Sequence, residues 1–324
     1  MSRFKGLLMI TAWFVLASTS VHAQWKKLET GTLAWLYALE FVDEKRGWAG
    51  GSNGSLIVTA DGGSSWQLAS FPNRDTIRDI VFVDAKNGWL LCERGEQRSA
   101  EPLNRSYLLK TEDGGKTWGK MEFAAGITRM VRLVVASTGE GFAIGEAGGF
   151  AGMPSGSRFP ATLGLPVRFL MLGGAWLNSS RIVLVGGGGT AITSDDLGTS
   201  WQQARSANEL AEIRLSSVFF LDGSKGWIVG NGGTILSTAN GGRYWTQAAP
   251  VTGENLLDVR FCDGTTGFAV GENGTIIRSD DGGVRWRSVV SPTPHRLGRL
   301  ECVGRKAFAT GFGGTIVSAD IDGR

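Results

Sequence analysis

The chain has 324 residues, of which 42% are hydrophobic and 19% charged, with 49 glycines, 12 tryptophans and a formal charge of +3. That balance excludes a charge-rich disordered chain and offers no basic footprint for nucleic acid. Three cysteines and two histidines without finger-like spacing give no metal cluster, so neither metal nor cofactor is expected.

Residues 1–23 read as a signal peptide. Arg3 and Lys5 form its basic start, Gly6 to Ala17 an apolar run too short to span a bilayer, and Val21-His22-Ala23 a cleavage site before Gln24. No second apolar run approaches twenty residues, so the mature chain, 24–324, is expected to be exported, peripheral to a membrane at most, and monomeric. Without the leader the formal charge falls to +1. Gln24 stands where a lipoprotein would need a cysteine.

From there one phrase keeps returning: TADGGSSW (Asp61, Trp66), TEDGGKTW (Asp113, Trp118), SDDLGTSW (Asp196, Trp201), TANGGRYW (Asn240, Trp245) and SDDGGVRW (Asp281, Trp286). A sixth copy begins at Ser318 and breaks off after Asp320. The copies recur about every forty residues, apart from one step of about twice that. A second landmark fills the gap: an aromatic, usually after glycine, at Trp48, Trp89, Phe142, Trp227, Phe268 and Phe308, with Ile182 to Gly186 resembling a further unit. Seven units of β-rich runs and turn residues predict an all-β, seven-bladed propeller of four-stranded blades in a single domain.

Blade six shows how the strands arise. LLDVRF (Leu256 to Phe261) predicts the inner strand, GFAVG (Gly267 to Gly271) the second, TIIRS (Thr275 to Ser279) the third, and Trp286 to Val290 the outer one. Asn273-Gly274 lies between strands two and three, as Asn53-Gly54 and Asn231-Gly232 do in blades one and five, and Asn-Gly supplies the positive φ angles of a tight turn. The box spans the hairpin between strands three and four. There its acid accepts backbone N–H bonds and its tryptophan packs on the sheet, so the motif is structural. The last blade ends before any box tryptophan, and Gln24-Trp25-Lys26-Lys27-Leu28 is expected to supply its outer strand, with Trp25 in the missing position.

Cys262 and Cys302 fall one repeat apart and are expected to be buried apolar residues, with a disulfide between blades disfavoured.

The boxes, the Gly-Trp-x-x-Gly strands, the Gly-Thr-Ile third strands (Gly233-Thr234-Ile235, Gly274-Thr275-Ile276, Gly314-Thr315-Ile316) and the count of seven resemble the photosystem II stability and assembly factor family. The resemblance covers essentially all of the mature chain, with blades three and four degenerate. It implies a propeller without known catalysis that binds an immature membrane-protein subunit, photosystem II in the photosynthetic case, from the lumenal or periplasmic side.

The alternative is a carbohydrate-binding or sialidase-like glycoside hydrolase, since those enzymes share the box. That chemistry needs an arginine cluster and a tyrosine nucleophile with a Glu partner. The chain has only Tyr37, Tyr107 and Tyr244, of which Tyr37 alone could face a central cleft, so no catalytic residue is assigned. Aligning the inner strands instead places Arg78, Arg129, Arg132, Arg214 and Arg260 in or just before them, with Arg168, Arg296 and Arg299 near comparable points in the less regular blades. A basic funnel of guanidiniums would take carboxylates or an acidic peptide tail. The irregular segments 92–106 and 148–166 are expected to flank that funnel.

Overall fold

A four-stranded antiparallel sheet has two apolar faces, and this chain covers both by standing seven such sheets around an axis. The computed structural model describes residues 24–95, 105–124, 126–153, 163–206, 210 and 212–322. The signal peptide predicted for 1–23 lies outside them, as do the central parts of both irregular segments. Within each blade the strands pair in chain order; blade one, for example, runs Leu36–Phe41, Gly47–Gly51, Leu56–Thr59 and Gln67–Leu68 from the axis outward. Blade five gains a fifth strand, Arg205–Ser206, parallel to Tyr244–Gln247.

The seventh blade takes its outer strand from the other end of the chain. Lys26–Leu28 pairs antiparallel with Ile316–Asp320, Lys26 opposite Ser318 and Leu28 opposite Ile316, as the truncated last repeat implied.

Blades join through a recurring aromatic triplet. Trp48 of blade one stacks on Phe82 of blade two at 4.1 Å between centroids, and the box residue Trp118 meets Phe82 edge-on at 6.2 Å. Phe308, Phe41 and Trp66 repeat this between blades seven and one, and Trp227, Phe261 and Trp286 between five and six. The glycine before each strand-two aromatic is set by the same packing: a Cβ on Gly47 would come within 2.6 Å of the Phe41 ring, and one on Gly267 within 2.5 Å of Phe261. Between blades six and seven the middle ring is missing, because Cys302 stands opposite Ala307, where Phe41 stands opposite Gly47. Trp25, 3% exposed, then reaches Phe268 directly at 5.3 Å, edge-on.

The same substitution overturns the expectation for the cysteines. Cys262 follows the terminal phenylalanine of its inner strand while Cys302 replaces it, so the two are not equivalent but face one another across the interface. They form a disulfide with a Cα–Cα separation of 5.1 Å. Cys92 is free and buried.

The box hairpins also follow the sequence reading. Asp61 Oδ1 accepts from the Ser65 N–H at 2.9 Å and from the Thr59 hydroxyl at 2.8 Å, and the Thr59 hydroxyl accepts from Gly63 N–H. Asp113, Asp196, Asn240 and Asp281 make the corresponding bonds. Asp320, by contrast, pairs opposite Lys306 at the end of the last strand. At the opposite face, the turns between strands two and three take two successive positive φ angles, at Asn53-Gly54 and Asn273-Gly274 as read, but at Gly232-Gly233 rather than Asn231-Gly232. Blade three also departs from expectation. Gly149–Gly152 forms an ordinary third strand, and Leu163–Gly164 pairs with Phe150 and Gly149. Strands three and four of blade three are thus joined on the side that carries the box elsewhere, not on the face where 148–166 was expected; residues 154–162 lie outside the described set.

Ring closure gives a stability prediction. Trp25→Ala should cost about 3–5 kcal/mol in urea unfolding, the cost of truncating a large core aromatic. A loss under about 1 kcal/mol would mean that Trp25 does not act as a box tryptophan.

Candidate functional site: an arginine-rimmed mouth above a plugged channel

Every inner strand carries a bulge after its first core residue, between Leu36 and Ala38, Ile77 and Asp79, Met130 and Arg132, Met171 and Gly173, Leu215 and Ser217, Leu256 and Asp258, and Leu297 and Arg299. The extra residue resets the alternation. Leu36 and Leu39 and their counterparts enter the core, while the residue just after the bulge and the one two further on turn to the channel. The innermost strand has no neighbour on its axial side, so its N–H and C=O groups need side-chain partners.

Channel residues supply them from blade to blade. Glu40 accepts from Phe82 N–H at 3.3 Å, Asp79 from Leu133 N–H at 2.8 Å and Asp258 from Leu300 N–H at 2.8 Å. Arg132 donates to the Leu172 carbonyl at 3.2 Å, and Ser217 to Asp258 at 2.6 Å. Arg299 of blade seven crosses to Asp79 of blade two, closing the channel with an ion pair whose carboxylate is fully buried. Arg132 and Arg260 lie 3.9 Å from Asp79 and Asp258 respectively. A cavity of about 670 Å³ lies between this layer and the box face, lined by Arg132, Arg260 and Glu40 within and by Ser137, Thr138 and Asn178 at its mouth.

Burial, reinforced by the neighbouring Glu301, pushes the Glu40 carboxyl well above the ordinary range, and burial likewise raises Glu301, Asp79 and Asp258. In the boxes the sign reverses. Bonds from Ser65 and Thr117 hold Asp61 and Asp113 down at about 2.

The opposite mouth is built from a different repeated position, the residue just ahead of each inner strand. Its carbonyl accepts the first N–H of the neighbouring turn: Ser52 to Trp35, Glu146 to Arg129, Asn231 to Arg214, Phe312 to Arg296. This backbone tether fixes Trp35, Arg129, Arg214 and Arg296 around one rim. Beside them Arg78, on the bulge of blade two, pairs with Glu93 at 2.5 Å. Glu93 also pairs with Arg129 at 2.9 Å and Arg105 at 3.0 Å, and Arg129 reaches Glu146 at 3.0 Å. Burial opposes ionisation of Glu93, but Arg78 and Arg129 outweigh it and hold its carboxyl below the usual range. Arg168 and Arg214 are exposed and make no ion pair among the described residues. Arg296 is 3.4 Å from Glu272.

The seven arginines thus divide. Arg78, Arg129, Arg168 and Arg214 lie on the turn face, whereas Arg132, Arg260 and Arg299 lie within the channel among four carboxylates. Sequence alignment gave no weight to Glu93, the acid that gathers the guanidiniums, although its place at the base of the long blade-two loop marked it. Of that loop, the described residues Glu93, Arg94 and Arg105 lie at this mouth; residues 96–104 lie outside the described set. Tyr37 stacks on Trp35, Tyr107 is buried with its hydroxyl donating to Asp75, and Tyr244 is exposed in a box hairpin. His295 fixes a turn through its N–H to the Thr293 hydroxyl. No cluster of three potential metal ligands occurs among the described residues.

The two sets of acids predict a stability optimum at mildly acid pH. Raised carboxyls such as Glu40 bind protons more tightly when folded, so their contribution is complete below the ordinary carboxylate range and is lost as pH rises through the folded value. Lowered box acids contribute above their ordinary value and lose it as pH falls towards 2. Melting temperature should rise from pH 8 to about pH 5 and fall below about pH 3. Glu40→Gln should raise it by a few degrees at pH 8 and flatten the rise; a variant less stable than the wild type at pH 8 would contradict this.

Comparison with known proteins gives the same architecture. A model of the photosynthesis system II assembly factor YCF48 family matches residues 165–239. The photosystem II assembly protein Ycf48 of Synechococcus sp. (strain JA-2-3B'a(2-13)) is 22% identical over 278 residues, 60% of this chain and 83% of that protein. A solved structure of YCF48 bound to a D1 peptide superposes with a TM-score of 0.73 at 20% identity, over 91% of this chain and 95% of that one. The GH74 xyloglucanase of Xanthomonas campestris superposes with a TM-score of 0.69 at 15% identity, over 92% of this chain and 54% of the enzyme. In sequence and fold this chain is therefore similar to the photosystem II stability and assembly factors, as its repeats implied.

Proposed function

We propose that this protein is an exported, non-enzymatic assembly or stability scaffold that holds an acidic, carboxylate-bearing tail of a membrane-protein subunit on its turn face. The observation that carries the reading is the rim itself. Arg78 and Arg129 are pre-ordered by Glu93, and Arg214 stands further round the same face, near Arg296 and Glu272, exposed and without an ion pair among the described residues. Ordered guanidiniums lose little entropy on meeting a carboxylate and match it with forked hydrogen bonds. The relatives named as photosystem II assembly proteins, one of them solved with a D1 peptide, support a membrane subunit as the client. In a photosynthetic host that client is photosystem II at the lumenal side; elsewhere it is another envelope complex met from the periplasm.

Likeness to a xyloglucanase is likeness of fold at 15% identity and carries no substrate. Arg132, Arg260 and Arg299, engaged with channel acids, take no part in binding in this reading.

The test is a crosslinking pull-down from intact envelope, read by mass spectrometry. The wild type should enrich subunits of one membrane complex, and the triple variant Arg78→Glu, Arg129→Glu, Arg214→Glu should lose that capture by about a hundredfold or more. Because Arg78 and Arg129 also anchor Glu93, Arg214→Glu alone serves as the variant that leaves the fold intact and should weaken capture. Undiminished capture by both variants, or enrichment of glycans alone, would overturn the proposal.

A further inference from the structure

Blades seven and one interrupt the polar rim with an aromatic row. Trp35 occupies the position that Arg129, Arg214 and Arg296 hold in other blades. Phe312 opens the turn of blade seven where Ser52, Glu146, Asn231 and Glu272 open theirs. Phe312 is 49% exposed and Leu33, in the loop entering blade one, is 89% exposed. The rings are in register: Arg78 lies 4.5 Å over Tyr37, Tyr37 stacks on Trp35 at 5.1 Å, and Trp35 meets Phe312 edge-on at 5.6 Å. Arg296 covers Trp35 at 5.2 Å, and His295 closes the far end against Phe312 at 5.6 Å.

Nothing in the fold calls for this row. Blades three, five and six build the same turn and the same tethered carbonyl with Arg129 and Glu146, Arg214 and Asn231, and Asn255 and Glu272, and an exposed Phe and Leu each lose by facing water. A guanidinium stacked on Tyr37 at one end and another on Trp35 near the other keep the rings flat and ordered. The row therefore joins apolar area to the arginine rim without a break, over at most roughly 15 Å, the reach of about four to five extended residues.

We propose that this row is an apolar subsite for the same client, taking an aromatic or large aliphatic side chain that lies a few residues from the carboxylates held by the arginines. The inference rests on the acidic-tail reading and adds a selectivity to it. The partner segment is amphipathic, acidic at one end and anchored by one apolar residue in contact with Phe312 and Leu33. Charge complementarity at both ends of the row favours such a peptide over a purely apolar one.

Two short synthetic peptides test this, one ending in consecutive acidic residues with a phenylalanine upstream, the other identical but for alanine at that place. The wild type should bind the phenylalanine peptide about tenfold or more tightly than its twin, from the burial of one aromatic side chain, with a change in tryptophan emission. The double variant Leu33→Ala, Phe312→Ala should lose that discrimination while both peptides retain salt-sensitive binding, and Arg214→Glu should weaken both peptides alike. Equal wild-type affinity for the twins, with both weakened by Arg214→Glu, would overturn the subsite and leave the acidic-tail reading standing. Failure of both peptides to bind the wild type would overturn both. Sedimentation with anionic phospholipid vesicles gives the remaining arm: Phe312-dependent binding to vesicles with no discrimination between the peptides would assign the row to a lipid surface instead.

Discussion

Each blade buries its two faces only against its neighbours, so the whole molecule depends on the single place where the ring could open. There Lys26–Leu28 completes the sheet of blade seven, and Trp25 enters the interface with blade six. Only three residues pair in that strand, a short zipper for a molecule of this size. The interface is correspondingly reinforced: where the aromatic triplet lacks its middle ring, the Cys262–Cys302 disulfide joins the same two blades. Closing the sheet also removes two strand edges that would otherwise be open to pairing with other chains.

Closure creates a second constraint at the axis. Seven inner strands present unpaired backbone groups to a narrow channel, and the bulges that turn Asp79, Arg132, Asp258 and Arg299 inward let side chains satisfy them. Buried charges are costly unless paired and hydrogen-bonded, and here Asp79 and Asp258 each do two jobs, accepting a backbone N–H from the next blade and facing a guanidinium. The result is a plug rather than a pore. With the axis filled, the turn face is left as a shallow surface whose character is set by the residues ahead of each inner strand, which is why arginines and Trp35 can occupy it without disturbing the core.

Much of this was legible in the sequence because the repeat is local and strict. Box acids, the tryptophan that follows them, the count of seven and the role of Trp25 all depend on residues within one blade or at the two chain ends. What escaped depends on offsets of one residue. The bulge shifts alternation inside the inner strand, so Arg78, on the bulge, and Arg132, one position later in the repeat, lie on different levels. The same kind of offset hid the disulfide, since Cys262 and Cys302 occupy consecutive rather than equivalent positions. Blade three misled for another reason: its glycines and prolines read as loop, whereas Gly149–Gly152 pairs normally and the irregularity belongs to the box-side connection. The strand at Arg205–Ser206 needs a partner about one repeat away, Tyr244–Trp245, and no local pattern announces it.

Which face receives the client decides the function, and hydrogen-exchange footprinting of the protein with its captured partner reads that directly. Exchange should slow on the turn face, at Asp75–Arg78, Glu93–Arg94, Arg105, Arg129–Met130 and Asn231, with the box hairpins unchanged. Protection confined to the box hairpins or to the cavity mouth at Ser137 and Thr138 would contradict it.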